Sequence, residues 1–206
     1  MSLKTSKKTI FRKNTPMKRI VEYVAEADYK SYREFLKEDF KGRCGYCDSF
    51  YGIVKKDYHI DHFVPRRLIK KFITHKHLEN DYTNLVYSCP SCNISKSGKW
   101  ISENPDIDLV DEEGFINPCS DNYTSLFYRD QTGAIKAVEN NKTATYIHKE
   151  LNLSLERHKV TWNIEQLVNL IENIEESPNP TLKETLSNSL LENLRTHFEL
   201  VLKDDE

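Results

Sequence analysis

Apolar residues recur at three- and four-residue spacing over residues 24–40 (Tyr29, Tyr32, Phe35, Leu36, Phe40), which predicts a helix that stops at Gly42. The aromatic stripe on that helix reads as core rather than as a platform for stacked bases. The pattern then shortens. Residues 50–54 and 58–64 read as two short strands, joined by a polar turn at Lys55-Lys56-Asp57. Alternation along the second strand puts His59 and Asp61 on one face and leaves His62 at its end, where Pro65 stops regular pairing. Residues 66–77 read as a helix or helical turn, and Asn84-Leu85-Val86-Tyr87 leads toward a second helix start. That helix opens near Pro90, carries Cys92, Asn93 and Lys96, and ends at Gly98.

Beyond Trp100 the pattern changes. Residues 101–122 are acidic and loop-like. Residues 126–128 and 134–138 flank Asp130-Gln131-Thr132-Gly133, which predicts a β-hairpin. Helical periodicity follows over 143–151, over 153–176, and over 181–202 after Pro178 and Pro180. The predicted class is α+β, with helices dominating the second half. The chain divides into a basic N-terminal arm (1–23), a central unit with its leading helix (24–100), and a hairpin and helical region (101–206). The last of these either packs on the centre or docks a partner.

Charge sharpens that division. The net charge of −2 conceals 21 Lys or Arg against 11 Asp or Glu in residues 1–100, and 9 against 21 in residues 101–206. A basic half suits a polyanion, because each neutralised phosphate releases counterions. The equally available reading is solvated surface. The arm is read either as a flexible strap for a phosphate backbone or as a frayed terminus. No apolar run approaches a membrane span, and the N-terminus has no apolar core behind its charges, so a cytoplasmic protein is expected.

Four of the five cysteines form two C-x-x-C pairs, Cys44/Cys47 and Cys89/Cys92. Each pair offers two thiolates from a tight knuckle, and two knuckles complete a closed S₄ shell for a structural Zn²⁺. Cys119 reads as a small buried residue, and His75, His77, His148, His158 and His197 as structural. A zinc ribbon that only binds nucleic acid is the plain reading of the knuckles. The segment between them argues for more. Asp61 and Asn93 can hold a Mg²⁺ (or Mn²⁺), which favours oxygen donors, and His62 can deprotonate an attacking water. Hydrolysis of a phosphodiester asks for those groups together.

The series Cys-x-x-Cys, Ile60-Asp61-His62-Phe63-Val64-Pro65, Asn84-Leu85, Cys89-x-x-Cys92-Asn93-x-x-Lys96 resembles the zinc-bearing subset of the HNH endonuclease family over about residues 41–99. The resemblance implies a ββα-metal fold and hydrolysis of DNA, leaving 5′-phosphate and 3′-hydroxyl ends. By position, His62 matches the general base, and Asp61 and Asn93 the ligands of the catalytic ion. Asn84 matches the asparagine that holds the histidine loop, and Lys96 a basic position near the phosphate. His59 is left between a supporting group and an extra ligand, and Arg66 and Arg67 between phosphate grips and solvated charge. Phe115-Ile116-Asn117-Pro118, the Thr-Gly hairpin and His148-Lys149-Glu150-Leu151-Asn152-Leu153 leading to Arg157 are similar to the Septu-type and retron-associated nucleases of bacterial anti-phage defence. That likeness implies an ATPase partner from the same operon. A non-catalytic zinc-ribbon module and an RNA-cleaving defence nuclease remain the competing readings.

Overall fold

In the computed structural model, which describes residues 8–24, 28–54, 57–173 and 179–203, the chain opens with a two-residue strand, β1 (Thr9–Ile10). The Asp28 side chain accepts from Lys30 N at 3.0 Å and starts a 3₁₀ turn (Tyr29–Tyr32) that runs into α1 (Arg33–Asp39). The helix predicted over 24–40 is thus shorter, because this cap fixes its start; residues 25–27 lie outside the described set. Tyr32, Leu36 and Phe40 are core, as the stripe suggested, while Phe35 faces solvent.

The first of the two strands predicted after the knuckle is not one. Phe50 makes a single bridge to Arg43, and the next four residues close a helical turn, α2 (Tyr51–Val54), with Val54 N on Phe50 O at 3.3 Å. Lys55 and Lys56 of the predicted turn lie outside the described residues. The second strand holds: β2 (His59–His62) pairs antiparallel with a more distant partner, β3 (Leu85–Ser88), His59 facing Ser88 and His62 facing Leu85. A short helix, α3 (Arg66–Ile69), and two 3₁₀ turns (Ile73–Glu79 and Tyr82–Asn84) connect them. Helix α4 (Pro90–Lys96) follows with Pro90 in its first turn, where a missing N–H costs nothing, and packs on β2. β2, β3 and α4 make a ββα unit.

The stretch predicted as loop contains a small hairpin, β4 (Leu109–Val110) with β5 (Glu113–Gly114), and a helical turn, α5 (Asp121–Ser125). The predicted β-hairpin is β6 (Phe127–Arg129) with β7 (Ile135–Ala137), and β1 adds to its edge. Asp130 organises its turn by accepting from Thr132 N (2.9 Å) and Ala134 N (3.2 Å). Gly133 has φ +87°, and a Cβ there would lie 2.3 Å from the Asn163 side chain and 2.6 Å from Trp162, so only glycine fits. Helices α6 (Lys142–Glu150), α7 (Glu156–Asn173) and α8 (Pro180–Lys203) close the chain, and α7 packs along α8. Asn141 caps α6 by accepting from Ala144 N at 2.8 Å. Residues 174–176 of the predicted longer helix lie outside the described set. No helix among the described residues is long and apolar enough to cross a membrane.

One core runs through Phe11, Leu36, Tyr46, Leu85, Phe115, Tyr123, Phe127 and Leu153. The described part of the basic arm is therefore neither a free strap nor a frayed end. Phe11 is buried against Tyr123 and Phe127, and Lys18 Nζ donates to Thr83 O at 2.7 Å.

Candidate active site and metal centre

The thiols of Cys44, Cys47, Cys89 and Cys92 are all buried and lie within 4.8 Å of one another. Zn–S bonds of about 2.3 Å in a tetrahedron separate the sulfurs by about 3.8 Å. Cys47 Sγ and Cys89 Sγ are 3.7 Å apart, so this donor set fits the ion. The backbone of the first knuckle is held from outside. Gly45 O accepts from Arg12 (3.0 Å), Tyr46 O from the Tyr123 hydroxyl (2.9 Å) and Cys47 O from Arg129 (3.0 Å). Both guanidinium groups are buried. Arg129 donates only to carbonyls among the described residues: Phe11, Gly133, His158 and Cys47. Burial lowers its pKa to about 10, which leaves it cationic at neutral pH. Four thiolates around a Zn²⁺ would carry a net double negative charge, and two buried guanidinium groups beside the knuckle would offset it. Arg12 cannot also serve a phosphate backbone, because its donors are used inside.

Tyr29, Asp61, His62, Arg66, Arg67, Asn93 and Ile94 line an open cleft. His62 closes β2. Its Nε2 lies 2.8 Å from Glu79 O, and since a carbonyl only accepts, Nε2 carries the proton. Nδ1 is then the basic nitrogen. Burial lowers the His62 pKa below the usual histidine value, against the opposing pull of Glu79 O and Asp61, and favours the neutral ring. The edge of Tyr29 holds the ring from one side, centroids 4.7 Å apart. Asn84 clamps the segment after His62: its Oδ1 accepts from Val64 N (2.8 Å), and its Nδ2 donates to Val64 O (3.2 Å) and Leu78 O (2.9 Å).

Asp61 shares the β2 face with His59, as alternation predicts. Its Oδ2 accepts from the Tyr46 hydroxyl at 2.5 Å and pairs with Lys96 Nζ at 3.1 Å. Among the described residues both partners use Oδ2, which leaves Oδ1 to an ion. Asn93, in the first turns of α4, turns its Nδ2 to His59 Nδ1 at 2.9 Å, which leaves its Oδ1 available as a second oxygen donor. A carboxylate oxygen and an amide oxygen beside an open cleft suit Mg²⁺ or Mn²⁺, which retain several waters. His59 Nδ1 is turned toward Asn93.

Lys96 corrects an expectation. Read as a basic group near phosphate, it has a fully buried side chain, with Nζ on His62 O at 2.9 Å as well as on Asp61. It lies beneath the site, and no phosphate in the cleft reaches it. Arg66 and Arg67 do line the cleft with exposed side chains. Arg66 is held by the Glu79 carboxylate (Nε–Oε1 2.8 Å), and Arg67 by Gly98 O and by Glu103 at 3.3 Å. Exposed pairs of this kind contribute at most about 1 kcal/mol, so a phosphate can replace the carboxylates. Sequence reading missed Tyr29, Tyr46 and Glu79. Tyr46 sits inside the first C-x-x-C, where a large polar aromatic between two ligands was the available signal. Glu79 acts through its backbone carbonyl, which leaves no signal in residue type.

The HNH endonuclease family profile matches residues 44–99. Septu protein PtuB of Bacillus mycoides (strain KBAB4) is 30% identical over 183 aligned residues, covering 79% of this chain and 60% of that protein. The chain thus spans less than two thirds of that relative's length. No solved structure matches it.

Proposed function

From an HNH endonuclease domain at residues 44–99, we propose that this protein is a metal-dependent endonuclease that hydrolyses DNA phosphodiester bonds. The observation that carries the reading is the His62 geometry. Nε2 is committed to Glu79 O, so Nδ1 is free to take a proton, in a cleft shared with Asp61 and Asn93. His62 Nδ1 removes the proton from a water as that water attacks phosphorus, and the bond to the 3′ oxygen breaks. Glu79 O holds the ring in the reactive tautomer, and Asn84 fixes the backbone that follows it. Asp61 and Asn93 would hold a Mg²⁺ or Mn²⁺, which supplies charge neutralisation for the phosphoryl group and the departing oxygen. Arg66 and Arg67 exchange Glu79 and Glu103 for backbone phosphates. The S₄ zinc has no open position and serves structure.

Similarity to a Septu protein supports a role in anti-phage defence, and with it an ATPase partner from the same operon. The acidic second half would then be a docking surface for that partner. The test is cleavage of supercoiled plasmid by the full chain with Mg²⁺ or Mn²⁺. The reading expects nicked or linear DNA, lost in Asp61→Ala at unchanged zinc content. A wild type that cuts no DNA when co-purified with its operon partner, or an Asp61→Ala that cuts equally well, overturns it. A chain that degrades RNA and spares DNA transfers the mechanism to the RNA-cleaving alternative.

A further inference from the structure

The first cysteine knuckle reaches the cleft residues through a hydrogen bond. Tyr46 is completely buried and lies between the first two thiol ligands, yet its hydroxyl reaches across to Asp61 Oδ2 at 2.5 Å. Its main chain is fixed at the same time: the Gly45, Tyr46 and Cys47 carbonyls are each held by a side chain from another part of the fold. The ring packs against Tyr123, the residue that also holds its carbonyl. Tyr46 therefore has little freedom of its own. What it donates to Asp61 is a direction as much as a bond.

Lys96 Nζ approaches the same oxygen at 3.1 Å from α4, so Oδ2 is held from two elements. With one oxygen fixed by two donors, the plane of the carboxylate is fixed, and Oδ1 points in one direction only. We infer that Tyr46 is a positioning residue for the ion of the cleft: it touches neither ion nor DNA, and presents Asp61 Oδ1 from a knuckle whose main chain is held by Arg12, Tyr123 and Arg129. Tyr46 thus links the first knuckle to the cleft, as Asn93, directly after Cys92 in α4, links the second. The inference rests on the reading of Asp61 as an ion ligand. Hydrogen-bond partners of ligating carboxylates typically matter by about 10- to 100-fold in metal affinity.

The test is Mn²⁺ binding by full-length protein, read from the electron paramagnetic resonance signal of free Mn²⁺, for wild type, Tyr46→Phe and Asp61→Asn. Zinc content and near-ultraviolet circular dichroism are measured on each. Phenylalanine keeps the ring and its packing, and Tyr123→Phe serves as a second variant that loosens the Tyr46 main chain while leaving its hydroxyl. The expected result is a wild-type Mn²⁺ site lost in Asp61→Asn and weakened about tenfold in Tyr46→Phe at full zinc content, with Tyr123→Phe in between. Wild-type affinity in Tyr46→Phe, with the Asp61-dependent site present, overturns the positioning role and leaves the nuclease reading standing. Absence of any Asp61-dependent site in the wild type overturns both.

Discussion

Replacing Lys96 by methionine tests how the interior of the site is held. The Lys96 side chain is 0% exposed and that of Asp61 7%, with 3.1 Å between Nζ and Oδ2. At an effective dielectric of about 20, an ion pair at that distance is worth roughly 5 kcal/mol of Coulomb attraction, before desolvation is subtracted. Methionine fills similar volume, so the change is not mainly a cavity. It leaves a buried carboxylate with Tyr46 as its remaining donor and takes the ammonium from His62 O. Breaking a buried pair by removing one partner costs about 3–5 kcal/mol. At about 2–4 °C per kcal/mol for chains of this size, the midpoint of thermal unfolding should fall on the order of 10 °C. We predict that loss by calorimetry without added Mg²⁺ or Mn²⁺. In an Asp61→Asn background the Lys96→Met cost should shrink by at least about 1.5 kcal/mol, because no stranded charge remains. A Lys96→Met cost below about 1 kcal/mol, or the same cost in both backgrounds, would refute the reasoning.

Three further predictions concern the other parts of the structure. Because burial lowers the His62 pKa, the neutral ring persists to lower pH than usual, so the acidic limb of cleavage rate against pH should lie below about 6.5; a limb above that value contradicts the assignment of His62 as base. Cys89→Ser should lose zinc and cooperative unfolding together, since the metal's binding energy is folding energy, and a zinc-free variant with an unchanged melting curve would contradict a structural role. Gly133→Ala should destabilise by more than about 1 kcal/mol in chemical denaturation, because its left-handed backbone and the closeness of Trp162 and Asn163 leave no room for a methyl group.

What the sequence made legible was local. The spacing of Cys44/Cys47 and Cys89/Cys92 marks four thiols that the fold brings within 4.8 Å of one another, and residue type singles out Asp61, His62 and Asn93, which line one cleft. The α+β class and the β6–β7 hairpin were readable from periodicity and from Asp130 to Gly133. The failures have physical causes. Residues 50–54 carry apolar side chains suited to a strand, but β3 supplies the partner that β2 needs, and the freed segment satisfies its backbone within its own turn. Lys96 was matched by the family resemblance to a basic position near the phosphate, and only the three-dimensional meeting of α4 with β2 provides the carboxylate that permits its burial. Arg12 and Arg129 reach the knuckle from residues far away in sequence, and the bonds they make to the knuckle go to carbonyls, which every residue possesses. Contacts of that kind are invisible to a reading by residue type. They also explain why the second half is more than an appendage: through Tyr123 and Arg129 it holds the loop from which Tyr46 reaches Asp61.

The most direct test of the central claim is the single-turnover rate of duplex DNA cleavage by wild type and by His62→Ala, at saturating Mg²⁺ or Mn²⁺ and equal zinc content. A positioned general base contributes about 10²- to 10⁴-fold, so the variant should be slower by at least about a hundredfold while still binding Mn²⁺. A His62→Ala protein that cleaves at the wild-type rate would contradict the account.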